Sequence, residues 1–228
     1  MLLVPAVLYL SGCTKSSATG TTATYITATN LFPLNVGNAW TYSEYDLNSS
    51  GLPTGQPRKV VSQVVGTTTM DGYTGVYLVS DSIFYSADSI TVGTTYFRVV
   101  SKNHLQLKIA ISAAGFSFPA MWGDFVNGDI PLNTDFKIKD TTVTFLGSPV
   151  QLSVNGIVQG PDSVQLQNGT TYPSAYKLTT NITLGTAGKV VFTTYFVDGV
   201  GPVKLVEQIY INSGLFGGYD RELRSTNF

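Results

Sequence analysis

The chain has 228 residues but only one cysteine, one histidine and few charges of either sign. A single cysteine excludes an internal disulfide, and one histidine beside it cannot complete a structural zinc site of the Cys/His kind. Thirteen Lys and Arg against fourteen Asp and Glu leave a formal net charge of -1. They are scattered along the chain as on an ordinary solvated surface, with no basic stripe to track nucleic acid. The sparse carboxylates sit in no known catalytic motif, so a carboxylate-dependent hydrolase such as a glycosidase is the least supported reading. His104 has no accompanying nucleophile motif. The sequence therefore predicts no catalytic residue, no metal ligand and no cofactor. At this length a single domain buries roughly 70 to 75% of its unfolded surface, enough to fold without cross-links.

What is present begins with an apolar run, Met1 to Leu10, that leads into Leu10-Ser11-Gly12-Cys13. The run has about the length of a signal-peptide core and falls short of the roughly 20 residues that span a bilayer. This combination resembles the lipobox of bacterial lipoproteins, although no Lys or Arg precedes the run. The resemblance implies cleavage before Cys13 and a diacylglycerol on its sulfur, with acyl chains such as palmitate holding the protein on a membrane. The alternative is a buried N-terminal strand with an incidental cysteine. Thr14 to Asn30 is rich in Ser, Thr, Ala and Gly and reads as a flexible tether. Thr14 is not the aspartate that retains enteric lipoproteins in the inner membrane, which by the same resemblance favours the outer membrane. The expected organisation is a signal peptide over 1–12, a lipidated Cys13 with tether over 13–30, and one β domain over 31–228.

The domain opens with Leu31 to Tyr42. Phe32, Leu34 and Val36 surround a proline and a glycine, which suits a turn plugging one end of a core. Trp40 and Tyr42 then share one face of the following strand, with Thr41 on the other. Trp40 is expected to be a buried anchor, the alternative being an exposed stacking surface.

From there period-two patterns dominate. Arg58 to Gly66, Tyr73 to Tyr85 and Ile90 to Lys102 read as strands, with Asp71-Gly72 as a hairpin turn. In His104 to Ile111, Leu105, Leu107, Ile109 and Ile111 point one way, which leaves His104 on a solvated polar face. Ser112 to Asp129 breaks the alternation. Its aromatic residues, among them Phe116, Phe118, Trp122 and Phe125, suggest either a packed lid or a binding surface. Phe116, Phe118 and Trp122 are the first candidates to contact a hydrophobic ligand. Asp124, Asn127 and Asp129 around Gly128 lack the ligand alternation of an EF-hand and read as a turn.

Phe136 to Lys139, Thr142 to Leu146, Gln151 to Val158 and Ser163 to Gln167 alternate again. Asn155-Gly156 is a weaker turn signal and Asn168-Gly169 a stronger one. Tyr172 to Leu184 pairs with Lys189 to Val197, a segment apolar on both faces that suggests a strand covered on both sides near the sheet centre. Asp198 to Pro202 forms a tight corner before strand Val203 to Asn212, and Tyr219 to Arg224 offers a last strand. No exact internal repeat is visible. The fold class predicted is all-β: a single antiparallel meander sheet, strongly curved into a half-barrel or barrel-like form, with little helix.

Phe32-Pro33-Leu34, Val36-Gly37-Asn38, Trp40 and Tyr42, together with Tyr195-Phe196, Gly199-Val200-Gly201 and Val203-Lys204, resemble an uncharacterised group of bacterial secreted proteins and lipoproteins. That group has an FPLxVGNxWxY-type opening and a GVGxVK-type corner, and the resemblance brings no activity with it. Periplasmic lipid carriers of the lipoprotein-carrier type share only the architecture. The expected function is a non-enzymatic binding or structural module of the cell envelope, anchored by lipid. Its partners would be the membrane and a hydrophobic small molecule or an envelope protein or glycan, not nucleic acid. The second reading is a periplasmic carrier of a lipid or other hydrophobic ligand.

Overall fold

The computed structural model describes residues 24–86, 89–113, 116–145 and 148–228, with side chains throughout except at 110–119 and 145. A short helix, α1 (Ala28–Leu31), precedes twelve strands. The first six are β1 (Ala39–Leu47), β2 (Pro53–Met70), β3 (Tyr73–Ser86), β4 (Ser89–Ser101), β5 (His104–Ala113) and β6 (Phe116–Asn127). The second six are β7 (Asp135–Phe145), β8 (Ser148–Gln165), β9 (Thr171–Leu184), β10 (Gly188–Val197), β11 (Gly201–Ile211) and β12 (Gly214–Thr226).

All twelve form one antiparallel sheet in the order β6-β5-β4-β3-β2-β1-β12-β11-β10-β9-β8-β7. Strands adjacent in sequence are adjacent in the sheet, with one exception. β6 and β7 lie at opposite edges, and β12 returns to pair with β1. The sheet curls until it is nearly closed into a barrel. Across the remaining gap Ile109 of β5, Met121 of β6 and Ile138 of β7 pack against one apolar cluster with Val143, Leu152, Val154 and Ile182. The predicted all-β, strongly curved meander is thus the observed fold.

The two halves of the meander have the same layout. β2 and β8 are each 18 residues long and β3 and β9 each 14, the longest strands of their halves. Both hairpins turn where the sequence signals it, at Asp71-Gly72, where both residues have positive φ, and at Asn168-Gly169. Register shifts interrupt both ladders, at Val64/Gly66 and Thr68/Met70 in one and at Gln159/Asp162 and Asp162/Val164 in the other. Such bulges bend a strand. Each tip accordingly touches the outer face of neighbouring strands: Asp71 meets Lys108 and Trp122, and Gln167 meets Glu222.

One end of the barrel is closed by the entry segment. Ala28 and Leu31 of α1 are buried, and the Phe32 ring lies within 6.4 Å of the rings of Trp40, Phe97, Phe125 and Phe196, from four different strands. Trp40 is fully buried, in the role expected of it.

Several expectations need correction. Ile26 and Ala28 are buried and the Thr24 carbonyl accepts from the Leu132 N–H, so residues 24–30 belong to the packed domain, not to the tether. Val36 is 60% exposed and plugs nothing, because the turn around Gly37 carries it outward. The aromatic excursion after Ser112 is edge strand β6, paired with β5; a register shift between Leu105 and Gln106 and another between Ile109 and Ile111 disrupt its alternation. Asn155 and Gly156 lie inside β8, and the two short segments before them are the single strand β7. β10 sits two strands from β12 and buries Thr194 and Phe196, while its other face is half-buried at most.

Candidate functional site

The opening and the corner, far apart in sequence, meet in the fold. Trp40 Nε1 donates to the Val200 carbonyl at 2.7 Å, the Tyr42 hydroxyl donates to the Pro202 carbonyl at 3.1 Å, and the Gly199 N–H donates to the Asn30 carbonyl at 3.0 Å. Gly201 has φ +98°, and a Cβ there would lie 2.7 Å from Trp40 Nε1. Gly201 is therefore needed where an indole sits against the backbone, and Gly199 where the turn takes a φ of +72°.

Trp40, Tyr42 and Glu44 alternate along β1 on the face turned into the barrel. Glu44 is buried and is the centre of an ionic cluster drawn from four strands. Arg221 Nε and Nη2 donate to Glu44 Oε2 at 2.9 and 2.6 Å, and Arg58 Nη2 donates to Glu44 Oε1 at 3.0 Å and Asp46 Oδ1 at 2.7 Å. Arg221 Nη1 also reaches Asp81 Oδ2 at 3.3 Å, while the Ser62 hydroxyl donates to Asp81 Oδ1. Burial works against the Arg221 charge, yet Tyr219, Asp81 and Glu44 together hold it above the ordinary guanidinium range. Burial also pushes the Tyr42 and Tyr219 phenols far up. Glu207, on the same face of β11, is raised by burial and by the Glu44 charge, against the pull of the Tyr219 hydroxyl and Arg221. The sequence reading missed this cluster. Its one signal is Glu44 itself, two residues beyond Trp40 and Tyr42 on a face that must be buried.

A second network covers the outer face of β4, β5 and β6. Trp122 Nε1 and Lys108 Nζ both reach Asp71 Oδ2 at 2.9 Å. The Arg98 guanidinium stands 3.6 Å from the Tyr73 ring centroid and 5.2 Å from that of Trp122. Arg98 Nε donates to Gln106, Gln106 donates to Asp124 Oδ1, and His104 Nε2 lies 2.7 Å from the same oxygen. His104 is therefore held against a carboxylate on a half-buried face, not on the solvated face expected. Hydrogen bonds from Gln106, His104 and Asn127 outweigh burial and keep the Asp124 carboxyl below its usual range. The Lys108 hydrogen bond, aided by Trp122, does the same for Asp71. Asp124 and Asn127 are engaged with each other at the end of β6, and the expected turn is confined to Gly128 and Asp129, which accepts from Asn103.

Of the expected ligand contacts, Phe116, Phe118 and Trp122 share strand β6. Trp122 faces outward into this second network, and the side chains of Phe116 and Phe118 lie outside those described. Cys13 also lies outside the described residues. Two concavities of about 400 and 450 Å³ open on the surface. The first is lined by Asn133, Gln159, Asp162, Lys177 and Tyr195, among others, and the second by Thr183, Lys189, Tyr210 and Asn212. Neither includes Trp122.

No protein-family model matches the sequence, and no curated protein matches it. Among solved structures the chain is similar to an inferred exported protein with a YmcC-like fold from Bacteroides fragilis. The two are 13% identical, the match covers 91% of this chain and 100% of that one, and the TM-score is 0.50. It is also similar to an inferred lipoprotein from Parabacteroides distasonis, 14% identical over 86% of this chain and 98% of that one, with a TM-score of 0.48. The first comparison gives the chain its fold class, a YmcC-like barrel; at these identities the likeness speaks of fold alone.

Proposed function

We propose that the protein is a lipid-anchored module of the bacterial cell envelope that binds or braces rather than catalyses. The observation that carries this reading is Leu10-Ser11-Gly12-Cys13 at the end of an apolar leader. The sharing of its fold with a protein named as exported supports it. A multiply acylated Cys13 would hold the chain stably on a membrane, since each buried methylene contributes about 0.8 kcal/mol. Thr14 in the following position favours the outer membrane. The non-catalytic part is supported by how the ionisable side chains are used. His104 is tied to Asp124, and the inner carboxylate Glu44 is held by two arginines.

The carrier reading has less support. Both described concavities are open, and the first presents mainly polar surface, whereas a hydrophobic ligand needs an enclosed and largely apolar pocket. Partition between membrane and soluble fractions tests the anchor. Cys13→Ala should release the protein, and persistent membrane attachment would sink the lipoprotein reading. Native mass spectrometry of the same released protein tests the carrier, for which a lipid-sized mass lost on denaturation is the required result.

A further inference from the structure

The two concavities lie on one face of the sheet. β10 buries Thr194 and Phe196 on the barrel side, so alternation turns Lys189 and Tyr195 outward. In register, Tyr195 stands beside Lys177 of β9, and Lys189 beside Tyr210 of β11. Each concavity holds one of these Lys–Tyr pairs: Lys177 and Tyr195 with Gln159 in the first, Lys189 and Tyr210 with Thr183 in the second. Lys189 and Tyr195 are six positions apart on β10, about 20 Å at the rise of a strand. Two rows of outward side chains fill that interval, Asn181-Val191-Gln208 and Thr179-Thr193-Val206, and none of the six is charged.

The charge on this face is uncompensated. Lys204, the other neighbour of Tyr195, is spent on Glu222 and Asp220 at 2.8 and 3.0 Å. The ion pairs of the described residues draw on Lys108, Lys137 and Lys204 but on neither Lys177 nor Lys189. Neither of these lysines, and neither the Tyr195 nor the Tyr210 hydroxyl, makes a side-chain hydrogen bond to the described residues, in contrast with Lys108, Lys204, Tyr42 and Tyr45. One carboxylate, Asp162, stands at the rim of the first concavity, and its Oδ1 accepts from the Ser163 N–H. The face therefore offers two ammonium groups, each beside an aromatic ring, joined by a strip of amides, hydroxyls and small apolar groups.

We propose that the outer face of β9, β10 and β11 binds an acidic polysaccharide, a chain of sugars bearing carboxylates, with Lys177–Tyr195 and Lys189–Tyr210 as its two contact points. The assignment rests on the binding half of the function proposed above and gives it a ligand class. Each ammonium takes a carboxylate, each tyrosine offers a ring to the apolar face of a sugar and a hydroxyl to its polar edge, and Gln159, Asn181 and Gln208 supply both donors and acceptors for sugar hydroxyls. A peptide strand would instead add to a sheet edge, and the edges are β6 and β7, away from this face. At about 400 and 450 Å³ the two concavities fall within the ordinary range for small-ligand sites, roughly 300 to 1,000 Å³.

Isothermal titration calorimetry of the full chain carrying Cys13→Ala tests this, with oligomers of galacturonic acid as the probe and neutral galactose oligomers and polyglutamate as comparisons. The galacturonate oligomers should bind, more weakly as salt is raised, and more tightly once they are long enough to span both pairs. Lys177→Gln and Lys189→Gln should each weaken binding roughly two- to fivefold, as expected of an exposed ion pair. The double variant should lose about the product of the two, since the sites are far enough apart to act independently. Circular dichroism should show the same β-sheet spectrum in all of them. No binding of galacturonate, equal binding of the neutral oligomers, or affinity unchanged in the double variant overturns the proposal. Polyglutamate bound as tightly as galacturonate also overturns it, leaving a cationic surface that does not recognise sugar. None of these failures touches the anchor, which is read separately from the membrane partition of wild type and Cys13→Ala.

Discussion

The indole of Trp40 hydrogen-bonds the carbonyl of Val200 at 2.7 Å although 160 positions separate them in sequence. Trp40 leads strand β1 and Val200 sits in the corner between β10 and β11, so one bond ties the entry of the barrel to its returning half. The opening stretch and the glycine corner are one structural unit, a plug and the wall it presses on. The Phe32 ring, packed tilted or edge-on among Trp40, Phe97, Phe125 and Phe196, is the body of that plug.

Trp40→Ala should therefore lower stability by roughly 3 to 5 kcal/mol, the usual range for a buried Trp. Trp40→Phe keeps much of the packing but strands the Val200 carbonyl, at a cost of about 1 to 3 kcal/mol. Gly201→Ala should also destabilise in the wild-type background, where its Cβ would press on Nε1, and should do so less in Trp40→Phe. Chemical denaturation of the single and double variants measures the coupling. An unchanged midpoint for Trp40→Ala would refute the anchor.

Inside the barrel, Glu44 is held by both Arg58 and Arg221, and breaking a buried pair leaves an uncompensated charge. Arg221→Met should cost about 3 to 5 kcal/mol, whereas the pair Arg221→Met with Glu44→Gln should cost much less than the sum of the two single changes. Additive losses in urea denaturation would show that the two side chains stabilise the fold independently.

Glu207 gives a pH dependence of defined sign. Its folded value is raised, so the folded state binds the proton more tightly than the unfolded chain does. Its contribution is fully present below the ordinary glutamate value of about 4.3 and is lost as pH rises through the folded value. Glu207→Gln should leave Tm nearly unchanged at acid pH relative to wild type and raise it at neutral pH. Thermal melts at several pH values check this, and a Tm difference independent of pH would contradict it.

On the outer face, the β2–β3 tip is fastened by Asp71 to Lys108 and Trp122 and by Tyr73 stacked on Arg98. Asp71→Asn should leave global stability close to wild type and speed amide hydrogen exchange over residues 68–76. The Asp71 carboxyl is depressed in the folded state, so acidification should have the same effect on the wild-type tip. The fastening is present above the ordinary aspartate value and fails as pH falls through the depressed one. Equal exchange in variant and wild type would show that the tip is held by the ladder alone.

The sequence by itself determined the all-β class and most of the strands. Alternation of Val, Tyr, Thr and Ile gave the strands, and the turns at Asp71-Gly72 and Asn168-Gly169 were legible because positive φ restricts which residues can occupy them. The burial of Trp40 followed from its size and its face. What the tertiary structure alone decided is long-range. That β12 pairs with β1, leaving β6 and β7 as the edges, depends on the accumulated curl of twelve strands, which no local window records. The pairing of Glu44 with Arg221, like that of Lys204 with Asp220, depends on register between strands, where a shift of one residue would send every side chain to the other face. Phe116 to Asn127 was misread for a related reason. Register shifts against β5 break its alternation, so that its strand character shows only beside the neighbour that pairs with it.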